Sequence, residues 1–163
     1  MKTRLAVFGV ALSFVVSSGA VARMQARQGA QESAQHAVVT PDKVVFQPIE
    51  VPGFKSGMKF AAIHGDPNAE SGTYVLRLQF PAGYTFPAHW HPNTENVTVL
   101  SGELQLGMGD NEDASKLASY KPGSFLYIPP KMAHFGGAKG MTVIQLHGEA
   151  PFKIELANKT EGK

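Results

Sequence analysis

The chain has 163 residues, 43% of them hydrophobic and 17% charged, the balance of an ordinary folded protein with material for one full core. It contains no cysteine, which excludes a disulfide scaffold, a thiolate zinc site, a Cys nucleophile and a lipid-anchored lipoprotein. The formal charge is only +2, and no run of Lys and Arg marks nucleic acid or an anionic membrane surface as a partner.

Residues 1–22 read as a secretory signal peptide: Lys2 and Arg4 lead into an apolar run from Leu5 to Val16, and Ala20 and Ala22 supply small residues for cleavage. The run falls short of the roughly 20 residues that span a bilayer, so no stable membrane anchor is expected after processing. Cleavage removes two of the 15 basic residues and none of the 13 acidic ones, which leaves a neutral mature chain. The expected location is periplasmic or secreted. Residues 23–40, rich in Gln and Ala and without an aromatic side chain, read as a flexible leader, with His36 a solvated tail histidine.

From residue 41 to 163 the texture changes to short runs of Val, Ile, Leu, Phe and Tyr, broken by Gly and Pro every eight to twelve residues or so. Candidate strands are 43–49, 58–64, 73–80, 85–91, 95–101, 103–108, 124–128, 141–147 and 152–156, with Ser101-Gly102 a hairpin signal. No long segment shows helical periodicity, and there is no internal repeat. The fold class is therefore all-β in a single domain, and a sandwich, a barrel or a jelly roll would bury the sheet edges.

The chemistry lies in residues 83–102. His89 and His91 are two apart, so on a strand both imidazoles project to one face, while Trp90 turns away. Glu95 follows a Pro92-Asn93-Thr94 turn that can bring its carboxylate back toward the two rings. His134, just past Pro129-Pro130, can add a third imidazole. Three imidazoles and a carboxylate suit a divalent first-row metal.

These residues resemble the motifs of the cupins, a family of small jelly-roll β-barrels. Gly83, His89, His91, Glu95 and Gly102 match the first cupin motif at every spacing, and Gly123, Pro129 and His134 match the second. Lys131 and Ala138 replace the second motif's Gly and Asn, which puts local loop geometry in question rather than the metal. The resemblance covers roughly residues 58–147. It implies a single cupin-type jelly-roll barrel in which His89, His91, Glu95 and His134 hold one divalent ion, and it makes a homodimer a reasonable expectation.

The ion's identity stays open among Mn, Fe, Co, Ni, Cu and Zn. An octahedral ion would keep two positions open for catalysis, whereas zinc closed by the same four ligands would be structural. The expected function is an exported metal-dependent enzyme, an oxygenase or an isomerase or lyase, acting on a small organic molecule. The alternative is a non-catalytic metal- or small-ligand-binding cupin. Small lone cupins also resemble the sensor half of zinc-binding anti-sigma factors, against which the signal segment and the lack of a helical partner-binding domain count. No catalytic residue is assigned, because no general acid or base stands out beside the four ligands.

Among other residues, Tyr84, Phe86, Phe125, Tyr127 and Phe135 are expected to pack in the core, and Met108 to fill it. His64 and His147 are expected at the rim of the barrel or in structural roles. Arg77 is expected on the solvent side of its strand, and the face taken by Gln145 and His147 is left open.

Overall fold

Alternating burial along the strands explains how the chain closes on itself. In Thr73–Phe80, Tyr74, Leu76 and Phe80 are buried between neighbours that are not; in Thr142–Glu149, Thr142, Ile144 and Leu146 are the buried set. A strand with one apolar face needs a second sheet against it, and this chain supplies two.

The computed structural model describes residues 36–157. The expected signal segment 1–22, most of the expected leader 23–40 and the last six residues lie outside the described residues. The chain divides into a unit ending at Val38 and a unit of Val39–Lys163, and the second carries everything below. Its strands are β1 (Gln47–Pro48), β2 (Lys59–His64), β3 (Thr73–Phe80), β4 (Thr85–Trp90), β5 (Glu95–Ser101), β6 (Leu104–Met108), β7 (Ala118–Tyr120), β8 (Phe125–Ile128), β9 (His134–Ala138), β10 (Thr142–Glu149) and β11 (Glu155–Leu156). Two short 3-10 turns, Pro41–Lys43 and Ala114–Lys116, are the helical elements among the described residues.

One sheet has the order β1-β2-β3-β10-β5-β8 and the other β11-β4-β9-β6-β7. All strand pairs are antiparallel. Their inner faces meet in one core that includes Leu76, Phe80, Val97, Leu104, Ile144 and Leu146. This is the all-β, cupin-type jelly roll that the strand rhythm and motifs anticipate. Among the described residues no helix is long and apolar enough to cross a membrane.

Several expectations change. Ser101-Gly102 is not a hairpin, because β5 and β6 lie in different sheets; it is the corner where the chain crosses between them. Gly102 has φ +79°, and a Cβ there would run into the Met141 carbonyl and Thr142, so the corner needs glycine. The first expected strand shrinks to Gln47–Pro48. Phe125 and Tyr127 are 59% and 61% exposed, because β8 turns Leu126 and Ile128 inward instead. Met108, at the end of β6, is exposed as well. Tyr84, Phe86 and Phe135 are buried as expected. Arg77 and Gln145 pair side chain to side chain at 3.1 Å, on the opposite face of the sheet from Leu76 and Leu146. His64 is exposed at the end of β2, and Phe125 stacks near His147 with centroids 6.4 Å apart.

Candidate metal centre

A slip in strand pairing aims the first ring inward. Phe86 stands opposite Gly136 and His89 opposite His134, so three steps along β4 match two along β9. In a regular strand Phe86 and His89 would face opposite ways; the bulge turns both into the barrel, where they are 7% and 5% exposed. Pro87 sits in the bulge, a place where a residue without an N–H is tolerated. The Ala88 N–H donates instead to the Glu112 carboxylate at 3.3 Å.

His91 follows the end of β4, and its carbonyl accepts from the Lys131 N–H at 2.8 Å. Lys131 takes the left-handed conformation, φ 61°, that the motif's glycine would adopt. The departure from the motif therefore leaves the turn intact. Glu95 opens β5 in the other sheet, opposite Ile128, and its side chain points inward like those of Val97 and Val99. His134 opens β9.

These positions converge. A nitrogen from each of His89, His91 and His134 lies within 4.8 Å of those of the other two, close enough for the three to hold a metal ion. The Glu95 carboxylate lies 3.5 Å from His91 Nε2 and 3.3 Å from His134 Nε2. All four residues are buried, at 2–6% exposure.

Hydrogen bonding settles which nitrogen faces inward. His89 Nδ1 lies 2.8 Å from the Pro87 carbonyl, His91 Nδ1 2.7 Å from the Lys153 carbonyl, and His134 Nδ1 3.1 Å from the Met132 carbonyl. A carbonyl only accepts, so each Nδ1 carries the proton and, in a neutral ring, Nε2 presents a bare lone pair. Burial disfavours the charged form of two of these rings: it pushes His89 down to about 3, with the neighbouring imidazoles adding to the effect, and it also lowers His91. Burial works to raise the Glu95 carboxyl, but the His134, His91 and His89 imidazoles that face it favour its ionised form, outweigh burial and hold it below its ordinary value. His91 Nε2 is the one buried side-chain nitrogen or oxygen, among the described residues, without a hydrogen-bond partner. An inward lone pair beside a carboxylate fits a cation and leaves little for any other group.

The sequence does not reveal what steadies these rings. Phe54 meets His89 edge-on with centroids 5.0 Å apart, and Phe152 stacks on His91 at 4.9 Å and 21°. Behind Phe152 stands Tyr74, centroids 5.5 Å apart. The segment carrying Phe152 and Lys153 runs on into β11, where Glu155 pairs with Trp90 and Leu156 with His89. A main-chain carbonyl has no residue signature, so Lys153 could not be singled out. Pro87 within a strand was a readable sign of the bulge.

The ring-lined end belongs to a cavity of about 40 Å³ whose other walls are apolar.

Comparison with known proteins agrees with this architecture. Among solved structures, the polyketide cyclase RemF from Streptomyces resistomycificus superposes with a TM-score of 0.63 at 17% identity, over 78% of this chain and 89% of its own. A cupin-2 domain from Rhodospirillum rubrum gives 0.57 at 14% identity over 78% and 83%. A cupin 2 conserved barrel domain protein from Rhodopseudomonas palustris gives 0.56 at 16% over 76% and 86%. No curated protein matches the chain in sequence. The family model of the ChrR cupin-like domain matches residues 34–152, a span that takes in both histidine motifs and nearly every strand, and the chain thus belongs to that family of cupins.

Proposed function

We propose that the protein is an exported cupin that binds one divalent first-row metal through His89, His91, His134 and Glu95 and uses it as an enzyme on a small organic molecule. The observation that carries the reading is the buried His91 Nε2, a lone pair without a partner beside a carboxylate and two more inward imidazoles. The donor set of three nitrogens and one oxygen is borderline to hard, suited to Mn, Fe, Co, Ni, Cu or Zn. When bound, such an ion supplies Lewis acidity toward an oxygen-bearing ligand. The chain's own part is to hold three neutral rings by their Nδ1 protons, to offset the ion's charge with Glu95, and to keep bulk water away with apolar walls. The neighbour RemF is a polyketide cyclase, which supports catalysis by a barrel of this shape. Export rests on the signal-like residues 1–22.

One observation favours the second reading, a non-catalytic binding cupin. Among the described residues lining the cavity, the polar side chains are the four already assigned to the metal, so no separate acid or base faces a substrate.

Elemental analysis of protein from its native compartment tests the proposal, with one equivalent of a divalent metal expected. A metal-free protein that takes up none on titration with Mn, Fe or Zn overturns it. Mass spectrometry of the same sample should place the mature N-terminus at Arg23, and retention of residues 1–22 overturns export.

A further inference from the structure

A cavity of about 40 Å³ is small: at roughly 10–15 Å³ of such space per water, it admits about three. Any organic molecule bound there must reach beyond it. Met58, Leu78, Phe152 and Ile154 form one wall of the cavity and, from their other side, one wall of an open groove of about 340 Å³. That groove is again mainly apolar, with Ile49, Val51 and Phe60 among its walls, while Glu50 and Asn68 are its polar side chains. The two spaces thus share a partition of apolar side chains, one of them an aromatic ring.

We propose that the site takes a molecule with a single oxygen-bearing head, such as a monocarboxylate, on an unbroken hydrocarbon body, and that Phe152 is the side chain that admits it. The inference deepens the metal reading and rests on it. The head group has one polar place to go, the end lined by the histidines. The other walls of the cavity and the partition are apolar, so a polar group placed on the body where it crosses them would lose its hydration without a replacement partner. A second carboxylate would also meet Glu50 in the groove. Among the partition residues Met58 is locked in the core at 3% exposure, whereas Leu78, Ile154 and Phe152 are partly buried, and of these three Phe152 alone carries a ring stacked on a histidine of the centre. Its backbone is tied down, with the Phe152 N–H donating to Pro67 at 2.7 Å and the Ala157 N–H to Ala88 at 2.9 Å. Rotation of the Phe152 ring is therefore the motion that joins cavity to groove, and because the ring stacks on His91, that motion is felt at the metal end.

The test uses the full chain loaded with Co(II), whose visible absorption reports the ligand set, titrated with straight-chain monocarboxylates from acetate to octanoate and with dicarboxylates of matching length. Monocarboxylates should perturb the cobalt bands with affinity rising about fourfold per added methylene until the groove is filled. Dicarboxylates should bind at least tenfold more weakly. Phe152→Ala should accept longer chains and bind them faster, Phe152→Trp should slow entry, and Phe152→Leu serves as the variant that preserves the apolar packing. Dicarboxylates that bind equally well, affinity independent of chain length, or entry rates unmoved in both Phe152→Ala and Phe152→Leu would overturn the proposal while leaving the metal reading intact. Failure to take up cobalt in the parent overturns both, and is seen before any carboxylate is added.

Discussion

His89 and His134 stand directly opposite each other across the β4–β9 pair, ring centroids 4.3 Å apart, and each is tied by Nδ1 to the carbonyl two residues before it. The same local device therefore orients both rings from within their own strands. His91 differs: its Nδ1 is held by Lys153, 62 residues further along the chain. Two rings are set by local backbone, and the third waits for the chain to return.

Removing a ligand should remove the metal. His91→Ala and His134→Ala are each expected to lose most bound metal and the metal-dependent rise in melting temperature, because an ion that prefers the folded chain stabilises it by mass action. His36→Ala, at an exposed position, should match the parent. Metal content and melting measured on the same samples decide this, and unchanged stoichiometry in both histidine variants would sink the shared site.

Cutting off the C-terminal segment should weaken the metal without abolishing the barrel. A chain ending at Ala150 lacks the Lys153 carbonyl and the Phe152 ring and so leaves His91 free to turn. Loss of such an outer partner costs about 10–100-fold in metal affinity. Competition with a chelator of known affinity measures it, with circular dichroism to confirm the β fold. An affinity equal to that of the full chain would be incompatible with this role.

The metal-free protein should lose stability on acidification. His89, pushed down to about 3 by burial and the neighbouring imidazoles, resists a proton when folded and accepts one near its ordinary 6.5 when unfolded. Between those values the unfolded chain binds more protons, so stability falls as pH falls through the window. His91 is lowered as well and acts in the same direction. Glu95, held below its ordinary value despite its burial, adds a further loss at the acid end. Urea midpoints of chelator-treated protein should drop steadily from pH 7 to pH 4; a flat profile would contradict the burial argument.

Lys131 occupies a left-handed turn at φ 61°, a conformation that costs a side-chain-bearing residue roughly 1 kcal/mol. Lys131→Gly should therefore raise stability by about 0.5–1 kcal/mol, the relief of strain being partly offset by the greater freedom of the unfolded chain. Denaturant titration of the two proteins shows the sign. A loss of more than 1 kcal/mol would mean that the lysine side chain contributes something beyond the turn.

The architecture was legible where apolar residues alternate and where motif spacing is strict. Tyr74, Leu76 and Phe80 declare a one-faced strand, and His89, His91 and Glu95 declare their convergence by spacing alone. Strand β9 was hidden because Gly136 and Gly137 have low strand propensity. They are glycines for a reason outside their own segment: a Cβ on Gly136 would strike the Gln105 carbonyl, and one on Gly137 the Tyr84 carbonyl. Phe125 and Tyr127 misled because an aromatic side chain in a strand reads as core whichever way the strand turns. The supports of His91 were invisible in principle, since one is a backbone atom and the other, Phe152, is brought there only by the return of the chain.

The three carbonyls that steady the imidazoles belong to Pro87, Lys153 and Met132, and none of them depends on the side chain its residue carries. A ring made fast to main chain is insulated from mutation in a way that one held by a carboxylate is not. Residues at 132 and 153 are free to change in polarity and size over evolutionary time while the rings keep their tautomer and their aim. The barrel can thus be re-lined for new ligands without first dismantling the centre that would act on them.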